Sequence, residues 1–152
     1  QEYFTIQQAR FRDRISFELD IDESTLQESI PSLTLQPIVE NSFLHGIQGM
    51  EQGAIIRLEI GRIPEGVLVK LSDNGIGMSE ITRQSLLRME ASQDKEHSTG
   101  LGTRNVFKRL ALFYGQQDLV NIHSAPGEGT IITILIPPRK EEEHQYVSDI
   151  DR

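Results

Sequence analysis

The chain has 152 residues and no cysteine, and its 15 basic against 23 acidic residues give a net charge of −8. This length suits one domain with its own core, and the missing cysteines exclude disulfides, thiolate chemistry and cysteine zinc sites. No apolar run approaches the roughly 18 residues of a membrane-spanning helix, and the acidic charge argues against general nucleic-acid binding.

The first part of the chain predicts a linker, a strand and a helix. Residues 1–11 contain no helix breaker and are expected to be the end of an upstream helix or a linker. Residues 14–21 alternate apolar and polar side chains, which predicts a half-buried strand. Residues 35–46 predict a helix, because Pro37 suits its first turn and Gly46 suits its end.

The remainder of the chain predicts two pairs of strands and two more helices. These elements are expected over residues 54–62, 66–73, 79–89, 103–114, 118–124 and 129–136. Ser79 is the expected N-cap of the first of the two helices. The polar residues 90–99 predict a mobile loop, and the charged residues 139–152 predict a disordered tail.

The order of these elements predicts an α/β (α+β) two-layer sandwich over residues 12–138. The sheet is expected to be mixed and mostly antiparallel, because adjacent strand pairs favour antiparallel pairing. About three helices would cover one face of the sheet while the other stays open. In the last helix, Val106, Leu110 and Phe113 lie at helical spacing and are expected to form its apolar stripe.

Residues 73–78 (DNGIGM) directly follow a predicted strand. The carboxylate of Asp73 can accept a hydrogen bond from an exocyclic amine, such as the amino group of adenine. Gly75 and Gly77 allow the backbone to turn sharply and to approach a flat ring closely. Taken alone, however, Asp-Asn-Gly is more simply explained as an ordinary β-turn.

Residues 99–103 (TGLGT) lie between the predicted mobile loop and a helix. A glycine-rich entry to a helix N-terminus exposes free N–H groups and the positive end of the helix dipole, which together favour an anion. This segment is not a P-loop, because no Gly-Lys-Ser/Thr follows the glycines. A flexible hinge with a helix cap is an alternative of equal weight.

The predicted helix over residues 35–46 carries polar residues suited to a metal-bound phosphate. Asn41 and His45 are four residues apart and so share one face of an α-helix. An Asn amide oxygen suits Mg²⁺, and Glu40 can act as a base or orient water. An exposed polar Asn41 and a His45 interacting with the helix dipole are the simpler alternative for the pair alone. The residues expected to face the core are Ile38, Val39, Ser42 and Phe43.

A fourth segment, residues 127–130 (GEGT), predicts a hairpin turn before the last strand. Thr130 begins that strand and can hydrogen-bond a purine edge. Each of the four segments lies on a predicted helix or at the end of a predicted strand or helix, which is where its proposed chemistry requires it. The combined interpretation is therefore stronger than that of any single segment.

These segments resemble the GHKL ATPases, which share the Bergerat ATP-binding fold. The likeness is to the catalytic ATP-binding domain of bacterial sensor histidine kinases of the YesM/LytS type. LQPIVENSFLHG at 35–46 is similar to the N box, DNGIGM at 73–78 to the first glycine box, and GLGTRNV at 100–106 to the second. The likeness covers residues 12–138 and is specific, because these boxes together are hard to obtain by chance.

The resemblance implies a role for each matched residue. Asn41 would ligate Mg²⁺ on the ATP phosphates, with Glu40 and His45 on the same side of the pocket. Asp73 would bind the amino group of adenine. The other residues expected to contact the nucleotide are Gly75, Gly77, Met78, Gly100, Leu101, Gly102 and Thr130.

The glycine boxes would have two different tasks in such a domain. Gly75 and Gly77 would shape the wall of the adenine pocket. Gly100 and Gly102 would contact the phosphates and serve as the hinge of a lid over residues 79–99. Such kinases often carry a basic residue in the N box, at the position that Leu44 occupies here. A different basic residue would therefore have to meet the charge of the phosphates. The candidates are Lys95, Arg104 and Lys108.

The resemblance further implies transfer of the ATP γ-phosphate to a histidine of a dimerisation domain outside this chain, and then to a response regulator. Residues 1–11 would end the dimerisation helix. No histidine here has the Pro-His-Phe context of a phosphoacceptor, so the chain alone is not expected to autophosphorylate. The full-length protein would be a homodimeric bacterial membrane sensor with this domain in the cytoplasm.

Two other classes of function remain as alternatives. The first is a GHKL ATPase of the gyrase, MutL or chaperone type, or an anti-sigma-factor kinase. The hydrolases carry a catalytic Glu four residues before the N-box Asn, and Pro37 stands at that position here, which favours phosphotransfer. The second is a binding module without nucleotide, which the intact boxes disfavour.

Overall fold

The computed structural model describes residues 14–47, 50–88 and 101–138. Its main elements are the strand β1 (Ile15–Ile21), the helix α1 (Leu35–Asn41), the strands β2 (Ala54–Ile63) and β3 (Gly66–Asp73), the helices α2 (Glu80–Leu87) and α3 (Leu101–Tyr114), and the strands β4 (Val120–Ser124) and β5 (Thr130–Ile136). A 3-10 helix, Glu23–Thr25, follows β1, and a π-helical turn, Ser42–Gly46, continues α1. None of the helices within these ranges has the length and apolarity that crossing a membrane requires.

The strands form one sheet in the order β1-β2-β3-β5-β4. The β1–β2 pair is parallel and the other three pairs are antiparallel, which confirms the predicted mixed, mostly antiparallel sheet. The parallel pair arises because the chain passes through α1 between the two strands and returns to the same end of the sheet. β3 pairs with β5 so that Asp73 lies opposite Thr130. The first glycine turn and the last hairpin turn therefore lie at the same end of the sheet.

The core lies between the sheet and its helices. Alternate residues of the central strands face this layer, as the two-residue period of a strand requires. The largest buried strand residues are Ile56, Leu58, Val67, Val69, Leu71, Ile122, Ile132, Ile134 and Ile136. Helix α1 buries Ile38 and Val39, and the π-helical turn that continues it buries Ser42 and Phe43, as predicted.

The apolar stripe of α3 differs from the prediction in one position. Val106 and Leu110 are buried as expected, but Phe113 is 52% exposed. Phe107 and Ala111 are buried instead, so the stripe follows pairs of adjacent residues one turn apart. Phe113 lies further round the helix, where its ring packs edge-on against Tyr114.

The start of α3 was also predicted wrongly. The helix begins at Leu101 and not at residue 103, so Gly102 lies within its first turn. Glycine is tolerated there because the packing of the helix face, and not the local propensity of one residue, decides where a helix forms. The predicted N-cap of α2 is confirmed, since the Ser79 hydroxyl accepts a hydrogen bond from the Thr82 N–H.

Leu110→Ala is expected to lower the free energy of unfolding by about 2–5 kcal/mol, because it leaves a cavity in a fully buried part of the core. Leu112→Ala removes the same atoms from the same helix at a side chain that is 84% exposed, and it should change the value by less than about 0.5 kcal/mol. Urea unfolding of the two variants checks this prediction. Equal losses would contradict the assignment of the buried face.

Candidate functional site

Asp73 is a buried carboxylate at the end of β3, with a side chain that is 8% exposed. Its Oδ1 accepts a hydrogen bond from the Gly75 N–H at 3.0 Å. Burial raises the pKa of Asp73 above its ordinary value, although hydrogen bonds from the Gly75 N–H, the Ser42 hydroxyl and the Thr130 N–H act in the opposite direction. A carboxylate offers about four acceptor positions. The carboxylate therefore has acceptor positions besides the one that the Gly75 N–H occupies, and such a position can accept a hydrogen bond from a ligand.

The helix α1 and the π-helical turn that continues it together form the N-box helix, and the end of this helix packs directly against the Asp73 carboxylate. The Ile47 N–H donates to the Ser42 carbonyl at 3.0 Å, which gives the last turn its wider π-helical form. A Cβ atom on Gly46 would lie 2.9 Å from Asp73 Cγ, so only glycine leaves room for the carboxylate. Ser42 was expected in the core and Gly46 at the helix end, but no local pattern predicted that both adjoin Asp73.

Gly75 and Gly77 allow the turn after β3 to approach two neighbouring stretches of backbone. A Cβ atom on Gly75 would lie 1.9 Å from the Gly46 carbonyl oxygen, and that carbonyl accepts the Ile76 N–H at 2.8 Å. Gly77 has φ +68°, and a Cβ atom there would lie 1.9 Å from the Ala125 carbonyl oxygen. The turn is thus held between the end of the N-box helix and the last hairpin.

The last hairpin contributes a set of hydrogen bonds centred on the hydroxyl of Ser124, a residue that no sequence motif indicated. The Ser124 hydroxyl donates to the Gly129 carbonyl at 2.7 Å and accepts from the Met78 N–H at 3.0 Å. Its oxygen lies 3.1 Å from Thr130 Oγ1. Because the single Ser124 hydroxyl hydrogen is used on Gly129, Thr130 must donate in this contact. The Thr130 hydroxyl is then left as an acceptor.

Asn74 has a structural task within the same turn. Its Oδ1 accepts from the Ile55 N–H at 2.8 Å, and its Nδ2 donates to the Gly53 carbonyl at 2.8 Å. The side chain therefore ties the turn to the start of β2, and Asp73 remains the residue of the turn that can meet a ligand.

Two contacts show that α1 and α3 run in opposite directions. Arg109 Nη2 donates to the Leu33 carbonyl at 2.7 Å, just before α1 begins. A Cβ atom on Gly102, two turns earlier in α3, would lie 3.4 Å from Pro37 Cβ. Asn41 lies about 6 Å further along α1 than Pro37, since four residues separate them. Asn41 is therefore placed at the level of the N-terminus of α3 or just in front of it.

The remaining predicted site residues are described in part. Glu40 is half-buried, and its Oε1 accepts from Gln36 Nε2 at 3.0 Å. The pairing of Asn41 with His45 was predicted from α-helical spacing. Residues 42–46 instead form a wider π-helical turn, so that spacing does not apply to them. Gly100 and the side chains of His45 and Leu101 lie outside the described residues, as do the loop 90–99 and both chain ends.

The chain is similar in sequence to known proteins along most of its length. The family described as "Histidine kinase-, DNA gyrase B-, and HSP90-like ATPase" matches residues 30–140. Sensor histidine kinase YesM of Bacillus subtilis is 33% identical over 141 residues, which are 93% of this chain and 23% of that protein. Sensor protein LytS of Oceanobacillus iheyensis is 32% identical over 91% of this chain and 24% of its own length. The chain spans about a quarter of these relatives.

Solved structures show the same fold at lower identity. The catalytic domain of histidine kinase ThkA, in a nucleotide-free form, matches with a TM-score of 0.65 at 17% identity, over 90% of this chain and 89% of that one. The histidine kinase domain of the blue-light activated kinase of Erythrobacter litoralis EL346 matches with a TM-score of 0.61 at 18% identity, over 88% of this chain and 56% of that one. These likenesses confirm the predicted two-layer Bergerat fold.

Proposed function

Because the chain belongs to the family of histidine kinase-, DNA gyrase B- and HSP90-like ATPases, we propose that it is the ATP-binding catalytic domain of a sensor histidine kinase. The observation that carries this proposal is the buried Asp73, whose carboxylate can accept a hydrogen bond from a ligand. An adenine amino group is such a donor, whereas guanine presents a carbonyl oxygen at that position. An acceptor facing an acceptor in a buried site is strongly unfavourable, so the pocket should select ATP over GTP.

The phosphate end of the nucleotide is proposed to lie between α1 and the N-terminus of α3. The free N–H groups and the positive dipole end of α3 favour an anion there. Asn41, at that level of α1, would hold Mg²⁺ through its amide oxygen, and Glu40 would orient the accepting nucleophile. Among the described residues, no group of three His, Asp or Glu side chains could hold a metal ion. Bound Mg²⁺ would neutralise phosphate charge and polarise the γ-phosphoryl group.

Phosphotransfer is favoured over hydrolysis by the residue four positions before Asn41. This residue is Pro37, which packs near Gly102 and has no carboxylate to activate water. We therefore propose that the γ-phosphate passes to a histidine of a dimerisation domain and then to a response regulator. In the full-length protein this domain would be a cytoplasmic part of a homodimeric membrane sensor.

Isothermal titration calorimetry and a phosphotransfer assay test the proposed function. Mg-ATP and ADP are expected to bind in the micromolar range or more weakly, and GTP should bind at least about 10-fold more weakly than ATP. The chain alone is expected to hydrolyse ATP negligibly, and to phosphorylate the dimerisation domain of its own gene product when that domain is added. Rapid turnover by the chain alone would support the hydrolase class, and no ATP binding would overturn both.

A further inference from the structure

A cationic side chain is buried in the first turns of α3, and one of its nitrogens has no hydrogen-bond partner among the described residues. Arg104 is only 7% exposed, and its Nε makes no hydrogen bond with any described residue. The ion pairs within the described part of the chain do not include Arg104. Burial of a guanidinium is costly unless an anion meets its charge, and no described carboxylate pairs with Arg104, so an anionic ligand would stabilise this position.

Helix geometry directs Arg104 towards the N-terminus of α3. In an α-helix each Cα–Cβ bond tilts towards the N-terminus, and an extended arginine is longer than one helical turn of about 5.4 Å. The guanidinium can therefore reach back to the level of Leu101, where the first backbone N–H groups have no partner within the helix. Thr103 lies beside it, 1% exposed, and its Oγ1 likewise has no partner among the described residues.

We propose that Arg104 binds the polyphosphate of the nucleotide, and so supplies the cation that the N box lacks at Leu44. This inference rests on the proposed function, because it assigns a residue to the phosphate end of the same site. The chain carries a net charge of −8, which opposes the approach of a polyanion. A guanidinium can offset this repulsion by donating two parallel hydrogen bonds to phosphate oxygens in a site shielded from water.

Nucleotide titrations of Arg104→Gln test the proposal, with Arg57→Gln as the matched control. Both variants replace one arginine by glutamine and lose one positive charge, but Arg57 is exposed on β2. Arg104→Gln is expected to weaken Mg-ATP at least about 10-fold and to leave adenosine within about 2-fold, since adenosine has no phosphate. Arg57→Gln should stay within about 2-fold for both ligands. Arg104→Lys, which keeps a cation, should retain more affinity for ATP than Arg104→Gln.

Thermal unfolding without nucleotide distinguishes ligand binding from a structural role. If Arg104 is held for a ligand, Arg104→Met should raise the Tm by about 2–4 °C while it weakens ATP, because it removes a buried charge without a partner. A lower Tm, a failure to fold, or unchanged ATP affinity of Arg104→Gln would overturn the proposal. Absence of ATP binding by the wild-type chain would instead overturn the proposed function.

Discussion

Asp73→Asn is expected to weaken ATP binding by about 2–3 kcal/mol, or roughly 30- to 150-fold, with little loss of folding. The replacement has almost the same shape, but it loses the charge and can present an N–H₂ group to the amino group of adenine. The Gly75 N–H donates to Oδ1 of Asp73 at 3.0 Å, so an amide that keeps this hydrogen bond places its N–H₂ group at the other position of the side chain. Isothermal titration calorimetry with ATP measures the loss.

Asp118→Asn is the control for this change, since it removes one carboxylate from an exposed loop residue. It should bind ATP as the wild type does, and equal losses in the two variants would show a general charge effect.

The wild type should also lose ATP as the pH falls through the raised pKa of Asp73, because the protonated acid is a poorer acceptor. Asp73→Asn should lack this acid-side loss.

The raised pKa of Asp73 also makes the stability of the folded protein depend on pH. The folded-state pKa of Asp73 lies above the unfolded value, because burial penalises the charged form. The ionised carboxylate therefore reduces stability at pH values above the folded pKa, and this penalty is relieved as the pH falls through it. Function and stability thus make opposite demands on this residue, as is common where a charge is buried to meet a ligand.

Gly75→Ala is expected to lower the free energy of unfolding by about 2–4 kcal/mol and to abolish measurable ATP binding. The added Cβ would lie 1.9 Å from the Gly46 carbonyl oxygen, so the turn after β3 must separate from the end of the N-box helix. That separation also removes the hydrogen bond from the Ile76 N–H to the Gly46 carbonyl. Urea unfolding and calorimetry measure the two effects.

Gly61→Ala is the matched control for this substitution. Neither Gly75 nor Gly61 has a positive φ, and a Cβ on Gly61 would meet nothing within 4 Å. This variant should be as stable as the wild type or slightly more so, because Gly is unfavourable within a strand. If Gly75→Ala were also neutral, the close packing of the turn on the N-box helix would be wrong.

Much of the fold could be predicted from local pattern. The two-residue period of the strands and the caps of the helices are properties of neighbouring residues, so Ser79 and the buried face of α1 were predicted correctly. Phe113 was not, because a three-residue spacing suits more than one face of a helix and only the packing of α3 on the sheet selects among them. The start of α3 depends on that same packing.

The sequence by itself determined which groups are available to a nucleotide: a carboxylate after a strand, an asparagine on a helix, and a glycine-rich entry to another helix. Only the tertiary structure decided what surrounds them. Residues distant in the chain cause the burial of Asp73, the demand for glycine at Gly46 and the burial of Arg104. Solvent exclusion and steric contact are properties of the packed molecule, and no spacing within one segment encodes them.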